Sequence, residues 1–245
     1  MAKIRNMGGN QSNQKKCSFY SKMFWLMTLL CILDFAFWIY PIAFAPESFD
    51  RKIAFVIFAV TACFSAVLAK IFGRKYSILH SGLAGEKKTG SILSKLPDSY
   101  VVLQNVSITK NGKHTEMDNL IISPYGICIV EVKNHNGCIQ GNQKDEMWTQ
   151  HKTGQKGTPY TSMFKNPLKQ LGFQKYLFST LLKEHNMDLW INGAVFFSGA
   201  EGLETDCDHV FASEQDMIFW IMNDQQIKLS DHEIMQIQKL LSQAV

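Results

Sequence analysis

The sequence lacks the cysteine patterns of a metal-binding or disulfide-rich protein. Its six cysteines include no C-x-x-C pair or similar ligand spacing, so no zinc or iron–sulfur site is predicted. Two of the six lie in apolar runs, and a cytoplasmic domain would keep the others reduced, so no disulfide is predicted. Internal repeats and low-complexity segments are also missing, so the chain is not built of tandem units.

Charged residues are nearly absent from two long stretches near the N-terminus. Met23–Ala45 has 23 residues with Asp34 as its single charge, and Ile53–Ala69 has 17 residues with none. A helix needs roughly 20 apolar residues to cross a bilayer, with about 17 as the lower limit, so both predict membrane spans. For the first run a signal peptide is the alternative, but the run is too long and Pro46 would directly follow the cleavage site. For the second, a buried core helix is the alternative.

Acidic residues are missing from the first 22 residues, which carry five Lys and Arg. The segment after the second run is also basic, whereas acids offset the basic residues between the runs. The positive-inside rule therefore predicts that both termini are cytoplasmic. The predicted organisation is a basic cytoplasmic arm (1–22), a transmembrane hairpin (23–72) with spans 23–45 and 53–72 joined by a short turn at 46–52, and a soluble domain (73–245). The chain is thus predicted to be a multi-pass protein of the cell membrane.

Asp34 is the carboxylate that this organisation places within the bilayer. Such a residue marks either an ion path or a contact between helices. Because the sequence shows no evident partner for Asp34 in the second span, a contact or a tolerated protonated side chain is preferred over an ion path.

The rest of the chain predicts one α/β domain. An Asn-Gly turn joins its first two strands as a hairpin, and two Ser-x-x-acid capping boxes precede its last two helices. The segment 142–163 is polar and rich in turn residues, which predicts an ordered loop or a mobile flap. The predicted elements are a helix (81–96), strands (100–109, 116–123, 127–134 and a short 137–141), a helix from Pro167 to His185, a strand (189–199), and two helices capped by Ser213/Asp216 and Ser230/Glu233.

Charge is unevenly divided within this domain. Arg74–Lys183 contains 15 basic and 7 acidic residues, whereas Glu184–Val245 contains 2 and 11. A basic half-domain suits a polyanionic partner such as nucleic acid. An ordinary solvated surface on both halves is the alternative that charge alone leaves open.

The strand "ICIVEVKN" (127–134) ends in two charged residues. Its apolar, β-branched half is typical of a strand packed on both faces, yet Glu131 and Lys133 are two apart and project from one face. Asp118 lies on the preceding strand, and pairing of the two strands through their turn would bring it within reach of Glu131. Such carboxylates repel unless a cation lies between them, and Mg²⁺ suits oxygen ligands. The alternative is a surface Glu–Lys pair, since E-x-K alone is common.

Several longer motifs carry a resemblance to a known family. They run in the order "GLAGEKKTGSIL", "HTEMDNLIISPYGICIVEVKNHNGCIQG", "NPLKQL" and "INGAVFFSG" between residues 82 and 199. In this order they resemble the nuclease-related domain (NERD), which is similar to the PD-(D/E)XK nucleases of the restriction-endonuclease-like fold. The resemblance implies an α/β fold with a mixed sheet flanked by helices. Met117 stands where the superfamily name has proline, a position that metal chemistry does not need.

The resemblance also implies roles for five residues. Asp118 and Glu131 look like the metal-binding acids, and Lys133 looks like the catalytic lysine. Glu86 would be the acid of the first helix that completes the metal environment, and Gln170 resembles the glutamine of a later helical motif. The implied cofactor is Mg²⁺ or Mn²⁺.

Each secondary assignment has a plainer alternative. Glu86 suits a helix N-terminus through the helix dipole alone. Gln170 and Gln174 are four residues apart and could form a solvated helix face. Trp148 could stack on a base, but a core or loop anchor is preferred. Further candidates are Asn134 and Gln140 as neighbours of the site, with His114, His135 and His151 left unassigned.

Two functions follow from the residues and the resemblance. The leading one is a membrane-anchored, metal-dependent nuclease that hydrolyses phosphodiester bonds of nucleic acid, DNA rather than RNA, on the cytoplasmic side. Its partners would be nucleic acid and the lipid bilayer. The alternative is a catalytically silent module of the same fold that binds DNA or a protein at the membrane.

Overall fold

The computed structural model describes residues 1–44, 51–154, 157–223 and 228–244. It divides the chain into two compact units. One unit is Gln11–Ser81, and the other combines Met1–Asn10 with the chain from Gly82 onward. The predicted borders lay after residues 22 and 72. In the structure, residues 11–22 and 73–81 group with the apolar helices as well.

The first unit contains two long apolar helices, α1 (Gln11–Phe44) and the first part of α2 (Arg51–Leu93). By length and composition both are able to cross a membrane. The predicted turn between them falls largely on residues 45–50, which lie outside the described residues.

Asp34 has hydroxyl partners on the second of these helices, which agrees with the preferred interpretation of a contact between helices, although no partner was evident in the sequence. Its Oδ1 accepts a hydrogen bond from Thr61 Oγ1 (3.2 Å), and its Oδ2 accepts one from Ser65 Oγ (3.1 Å). The two hydroxyls are four residues apart and therefore lie on one helix face. Hydroxyl side chains are common in apolar helices, so this contact has no clear signal in the sequence.

The second unit is a mixed sheet flanked by helices, which confirms the predicted fold class. The first six strands are adjacent in chain order, and the seventh pairs in parallel with the fourth and with the eighth. The strands are β1 (Lys3–Asn6), β2 (Val101–Lys110), β3 (Lys113–Ser123), β4 (Gly126–Gln140), β5 (Met147–Thr153), β6 (Pro159–Lys165), β7 (Ile191–Glu204) and β8 (Val210–Phe211). The helices after α2 are α3 (Pro167–Glu184), α4 (Glu214–Asn223) and α5 (Asp231–Ala244).

The segment 142–163 is a hairpin rather than the predicted loop or flap. Strands β5 and β6 pair antiparallel from Met147↔Lys165 to Thr153↔Pro159. Trp148 is fully buried and stacks on Phe197 with ring centroids 6.0 Å apart. This tryptophan anchors the hairpin to the core, as the preferred sequence interpretation held.

The N-terminal segment supplies an edge strand, which the sequence did not predict. Residues of β1 pair in parallel with β2, from Lys3↔Val101 to Asn6↔Gln104. All four residues of β1 are exposed, so no hydrophobic alternation marks the strand in the sequence. Instead of a free arm, the segment before α1 belongs to the sheet.

The core forms on both faces of the central strands. On β3 and β4 the alternate residues Leu120, Ile122 and Ile129 belong to one buried cluster, while Ile121 and Val130 belong to another. Burial of each such side chain contributes roughly 1.5–3 kcal/mol. The continuous β-branched runs therefore mark strands covered on both sides and fix the backbone of β4.

The pairing of β4 leaves an opening in the sheet. One edge of β4 pairs with β7 along most of its length. The other edge pairs with β3 up to Asn119↔Val130 and resumes with β5 only at Cys138↔His151. The stretch 131–137 therefore borders no strand on this edge, and the charged residues of the sequence motif lie there.

Candidate active site

The opening between β3 and β5 brings the predicted site residues together. Asp118 is the last residue of β3 before its ladder with β4 begins, and Glu131 is the first residue of β4 beyond that ladder. The Oδ2 of Asp118 accepts a hydrogen bond from the backbone N–H of Val132 (2.7 Å). The carboxylate thus takes the place of the missing strand partner and holds Asp118 at the gap.

Glu131 is the most deeply buried charged residue of the site, with 1% of its surface exposed. Its Oε1 accepts from Lys133 Nζ (2.6 Å), and its Oε2 accepts from Gln174 Nε2 (2.6 Å). A buried carboxylate needs such partners, because an unpaired buried charge is strongly destabilising. Both oxygens of Glu131 are therefore oriented before any ligand arrives.

Lys133 connects β4 with helix α3. Besides Glu131, its Nζ donates to Gln170 Oε1 (2.8 Å). The helix begins at Pro167 behind the cap Asn166, whose Oδ1 accepts from the N–H of Leu168 (2.9 Å). The "NP" dipeptide thereby sets the start of α3, so that Gln170 lies one turn inside it.

Gln174 is a site residue that the sequence interpretation did not single out. Its side chain is fully buried, and its Nε2 donates both to Glu131 and to the carbonyl of Glu116 (2.8 Å). Gln170 and Gln174 thus share a helix face that points to the site, on which Gln174 is buried and Gln170 is exposed. Their spacing of four residues places both side chains on one face of the helix, but it does not show whether that face is buried or solvated.

Glu86 reaches the site from α2. Its Oε2 accepts from Asn10 Nδ2 (2.9 Å), and its charge acts on Asp118 and Glu131. Gly85 allows this approach, because a Cβ there would lie 2.7 Å from the Cβ of Asn134 on β4. Because a tertiary hydrogen bond from Asn10 holds Glu86, its role goes beyond a favourable interaction with the helix dipole.

Glu116 is a further carboxylate that the sequence interpretation missed. It lies two residues before Asp118 on β3, and its charge acts on both Glu86 and Glu131. The same i, i+2 rule that joined Glu131 to Lys133 applies to Glu116 and Asp118. Strand alternation was therefore enough to find it.

Burial, together with the neighbouring charges, raises the pKa of three carboxyl groups of this cluster. Burial is the main reason that the pKa of Asp118 lies well above its usual range, and the charge of Glu131 adds to it. Burial also raises the pKa of Glu86 and of Glu116, although the hydrogen bond from Asn10 opposes the rise at Glu86. Close carboxyl groups whose pKa values are raised in this way are suited to binding a cation, which would stabilise their charged forms.

Other residues named from the sequence lie outside this cluster. Asn134 accepts from Ser198 Oγ (3.1 Å) beneath Gly85, so it braces the contact of α2 with the sheet. Gln140 and His151 bond each other across β4 and β5 (3.3 Å). His114 contacts Thr109 and Ser107 in the β2–β3 hairpin, and His135, next along the face of β4 after Lys133, stacks on Phe164.

The donor set fits a magnesium site with few protein ligands. In the part of the chain that the structure describes, no three His, Cys, Asp or Glu side chains converge as a cage for a metal. Mg²⁺ usually binds through one or two carboxylates and keeps several waters. Asp118 and Glu131 supply two such carboxylates on adjoining strands, and Glu86 is available for a bound water.

Comparison with known proteins agrees with this geometry. Residues 81–198 match the family model of the nuclease-related domain, NERD. The chain contains a nuclease-related domain. Its NERD segment begins just before Glu86 on α2 and ends in β7, so it includes every charged residue of the cluster.

A relative of this chain carries no functional name. An uncharacterized protein of Bacillus anthracis is 43% identical over 91 residues, which cover 36% of this chain and 41% of the relative. The chain thus matches about two fifths of the length of that relative. No solved structure matches the chain.

Proposed function

We propose that this protein is a membrane-anchored, metal-dependent nuclease. The observation that carries the proposal is the arrangement of Asp118, Glu131 and Lys133 in the opening between β3 and β5. Two carboxylates from adjoining strands and one ammonium group meet there beside the basic part of the domain. Acids that hold a divalent cation, with a neighbouring lysine, suit attack of water on a phosphodiester.

Asp118 and Glu131 would hold Mg²⁺ or Mn²⁺, with Glu86 bound to one of its waters. When bound, the ion would lower the pKa of a bound water and stabilise negative charge on the phosphate. The protein prepares its ligands for this task. The amide of Val132 fixes Asp118, and the amide of Gln174 fixes Glu131.

Lys133 supplies the fixed positive charge of the site. An ammonium group has three N–H donors, and Glu131 and Gln170 accept two of them. The third donor can bind a phosphate oxygen on which negative charge increases during hydrolysis. Because Gln170 is neutral, it orients the ammonium group without cancelling its charge.

We place the anchor in the membrane through α1 and α2. The pairing of β1 with β2 supports a hairpin, because the segment before α1 and the domain after α2 belong to one sheet. The chain then leaves and returns on the same side, as two spans require. The basic flanking segments favour the cytoplasmic side.

The test is a cleavage assay with the full chain in detergent micelles. Labelled DNA and RNA are incubated with Mg²⁺, with Mn²⁺ or with EDTA. We expect metal-dependent cleavage that Asp118→Ala and Lys133→Ala abolish. The matched controls are Asp208→Ala and Lys183→Ala, which remove the same charges from exposed positions.

Two outcomes contradict the proposal. One is a folded protein that cleaves neither DNA nor RNA with either metal. The other is cleavage that the Asp118 and Lys133 variants retain. Nucleic-acid binding without cleavage in the parent would instead favour the silent module, in which Lys133 neutralises Glu131 permanently.

A further inference from the structure

A cavity of about 640 Å³ adjoins the candidate active site. Its walls come from the middle of β4, the start of β5, the end of β6 and the first turn of α3. Lys133 and Gln170 form the side that belongs to the active site. The volume lies within the range of about 300–1,000 Å³ that is typical of small-ligand sites.

The charge of the cavity favours an anionic occupant. Besides Lys133, it is lined by Lys165 at the end of β6 and by Lys169 in the first turn of α3. Glu146 is the acid in the same lining, and it forms an ion pair with Lys169 at the exposed rim. Lys133 and Lys169 are each paired with one carboxylate, Glu131 and Glu146, so Lys165 leaves this wall with a net positive charge that suits a phosphate-bearing ligand.

One wall of the cavity is aromatic. The ring of His135 stacks on Phe164, with centroids 4.2 Å apart and planes inclined by 20°. Both rings line the cavity. A stacked pair of rings offers contact to a sugar or a base, which inorganic phosphate does not need.

Hydrogen bonds fix the tautomer of His135. Its Nδ1 lies 3.1 Å from Gln150 Oε1, while Gln150 Nε2 donates to the carbonyl of Asn136 (2.7 Å). The oxygen of Gln150 is therefore the acceptor, and Nδ1 of His135 carries the proton. In the neutral ring Nε2 then has a lone pair that accepts from a hydroxyl or amino group. Burial lowers the pKa of His135, and the charges of Lys152 and Lys133 add to this, so the neutral ring is favoured.

We propose that this cavity is a nucleotide subsite, which holds the nucleotide adjoining the bond cleaved at Lys133. Lys165 and Lys169 bind its phosphate, and the wall of His135 and Phe164 contacts its sugar or base. The inference rests on the proposed function, because it takes Lys133 to mark the reacting phosphate. It adds that the enzyme holds a nucleotide beside that phosphate.

The first test measures binding without metal, so that it does not depend on cleavage. A fluorescein-labelled single-stranded oligonucleotide is titrated with the full chain in micelles containing EDTA, and anisotropy is followed at several salt concentrations. We expect Lys165→Ala/Lys169→Ala to weaken binding about tenfold and to lower the salt slope by about 1.4, as for two phosphate contacts on a single strand. The matched control, Lys113→Ala/Lys183→Ala, removes the same charge outside the cavity and is expected to change binding less than twofold.

The second test uses the unmodified protein, so it does not depend on the folding of a variant. Deoxyadenosine monophosphate and inorganic phosphate compete separately for the labelled oligonucleotide. The subsite requires that the nucleotide displaces the probe at a concentration at least tenfold lower than phosphate does. DNA and RNA probes are compared, and the tighter one identifies the strand that the subsite accepts.

Three results overturn the proposal. These are no oligonucleotide binding in EDTA, equal weakening by the cavity and control variants, or equal competition by phosphate and nucleotide. A protein that fails to cleave but passes both binding tests would contradict the proposed nuclease function and leave the subsite in place. Cleavage without the expected binding pattern would contradict the subsite and leave the proposed nuclease function in place.

Discussion

Two aspartates of this chain lie among apolar residues, and their surroundings differ. Asp34 on α1 accepts hydrogen bonds from the hydroxyls of Thr61 and Ser65 on α2. Asp118 on β3 accepts one from the amide of Val132 and faces the charges of Glu131 and Glu86. Hydroxyl donors satisfy the carboxylate of Asp34, whereas the carboxylate of Asp118 lies close to other carboxylates.

This difference separates a structural carboxylate from a candidate catalytic one. A carboxylate bonded to hydroxyls joins two helices and needs no further ligand. Carboxylates that face one another repel, and the fold gains nothing from that repulsion. Crowded acids therefore indicate a ligand of opposite charge.

The largest predicted contrast between the two aspartates is in catalysis. Asp118→Ala is expected to lower the cleavage rate by ~10³-fold or more, because a metal ligand is lost. Lys133→Ala is expected to cost about 10²–10³-fold, as for loss of one donor to a developing charge. Asp34→Asn should leave the rate unchanged. A cleavage assay in micelles measures all three, and an equal loss in Asp34→Asn would remove the distinction.

The next contrast is in stabilisation by metal. Mg²⁺ at about 100 times its Kd is expected to stabilise the wild-type fold by about 2.7 kcal/mol. Glu131→Gln should lose most of this effect, while Asp34→Asn should keep it. The midpoint of thermal unfolding with Mg²⁺ and with EDTA gives the comparison. Equal midpoints for the wild type under both conditions would show that no metal binds.

Gln174 tests whether the hydrogen bond that orients Glu131 affects metal binding. Gln174→Met keeps the volume but removes the amide that orients the carboxylate, and a loss of about 10–100-fold in metal affinity is expected. The metal concentration that gives half-maximal activity should rise accordingly. Gln170→Met, four residues earlier, acts on Lys133 instead and should lower the rate at saturating metal. The same shift in metal requirement from both variants would contradict the assigned roles.

The pKa of Asp118 predicts a gain of stability when its charge is removed. Because burial raises this pKa, the folded state holds the proton more tightly than the unfolded chain, so wild-type stability falls as pH rises from about 4 through the raised pKa. In EDTA, Asp118→Asn is expected to be about 1 kcal/mol more stable at pH 8 and equal to the wild type near pH 3. Thermal midpoints across this range provide the measurement, and a constant difference would point to another cause.

The smallest predicted effect is at Asp34. Asp34→Leu removes the acceptor of two hydroxyls, at a cost of about 0.6 kcal/mol per hydrogen bond within a bilayer. Asp34→Asn keeps an acceptor oxygen and should cost less. Unfolding of the helices by titration with detergent measures both variants. A loss of several kcal/mol from Asp34→Asn would mean that the charge itself is needed.

The central strands could be predicted because their residues carry a strong local signal. The β-branched runs of β3 and β4 and the turn between them set the register that brings Asp118 to Glu131. The hairpin of β5 and β6 could not, because five of the seven residues of β5 are polar and no residue of β6 is fully buried. β1 has no buried residue at all, and its only reason to be a strand is the open edge of β2.

The same limit applies to the site. Charged residues on one strand, such as Glu131 and Lys133, follow from alternation. Gln174 and Asn10 enter through packing of distant segments, and no spacing in the sequence relates Asn10 to Glu86. Contacts between residues that are close in the sequence could be predicted, whereas contacts that the fold makes between distant segments could not.

The pairing of β1 has a consequence for the order of biosynthesis. A ribosome makes β1 and Asn10 first, but their partners β2 and Glu86 follow only after both apolar helices have emerged. The edge strand and the partner of Glu86 therefore have no partners to pair with until both apolar helices have been synthesised. A nascent chain stalled between the two helices has no Glu86, so assembly of this acidic cluster reports that both helices have been made.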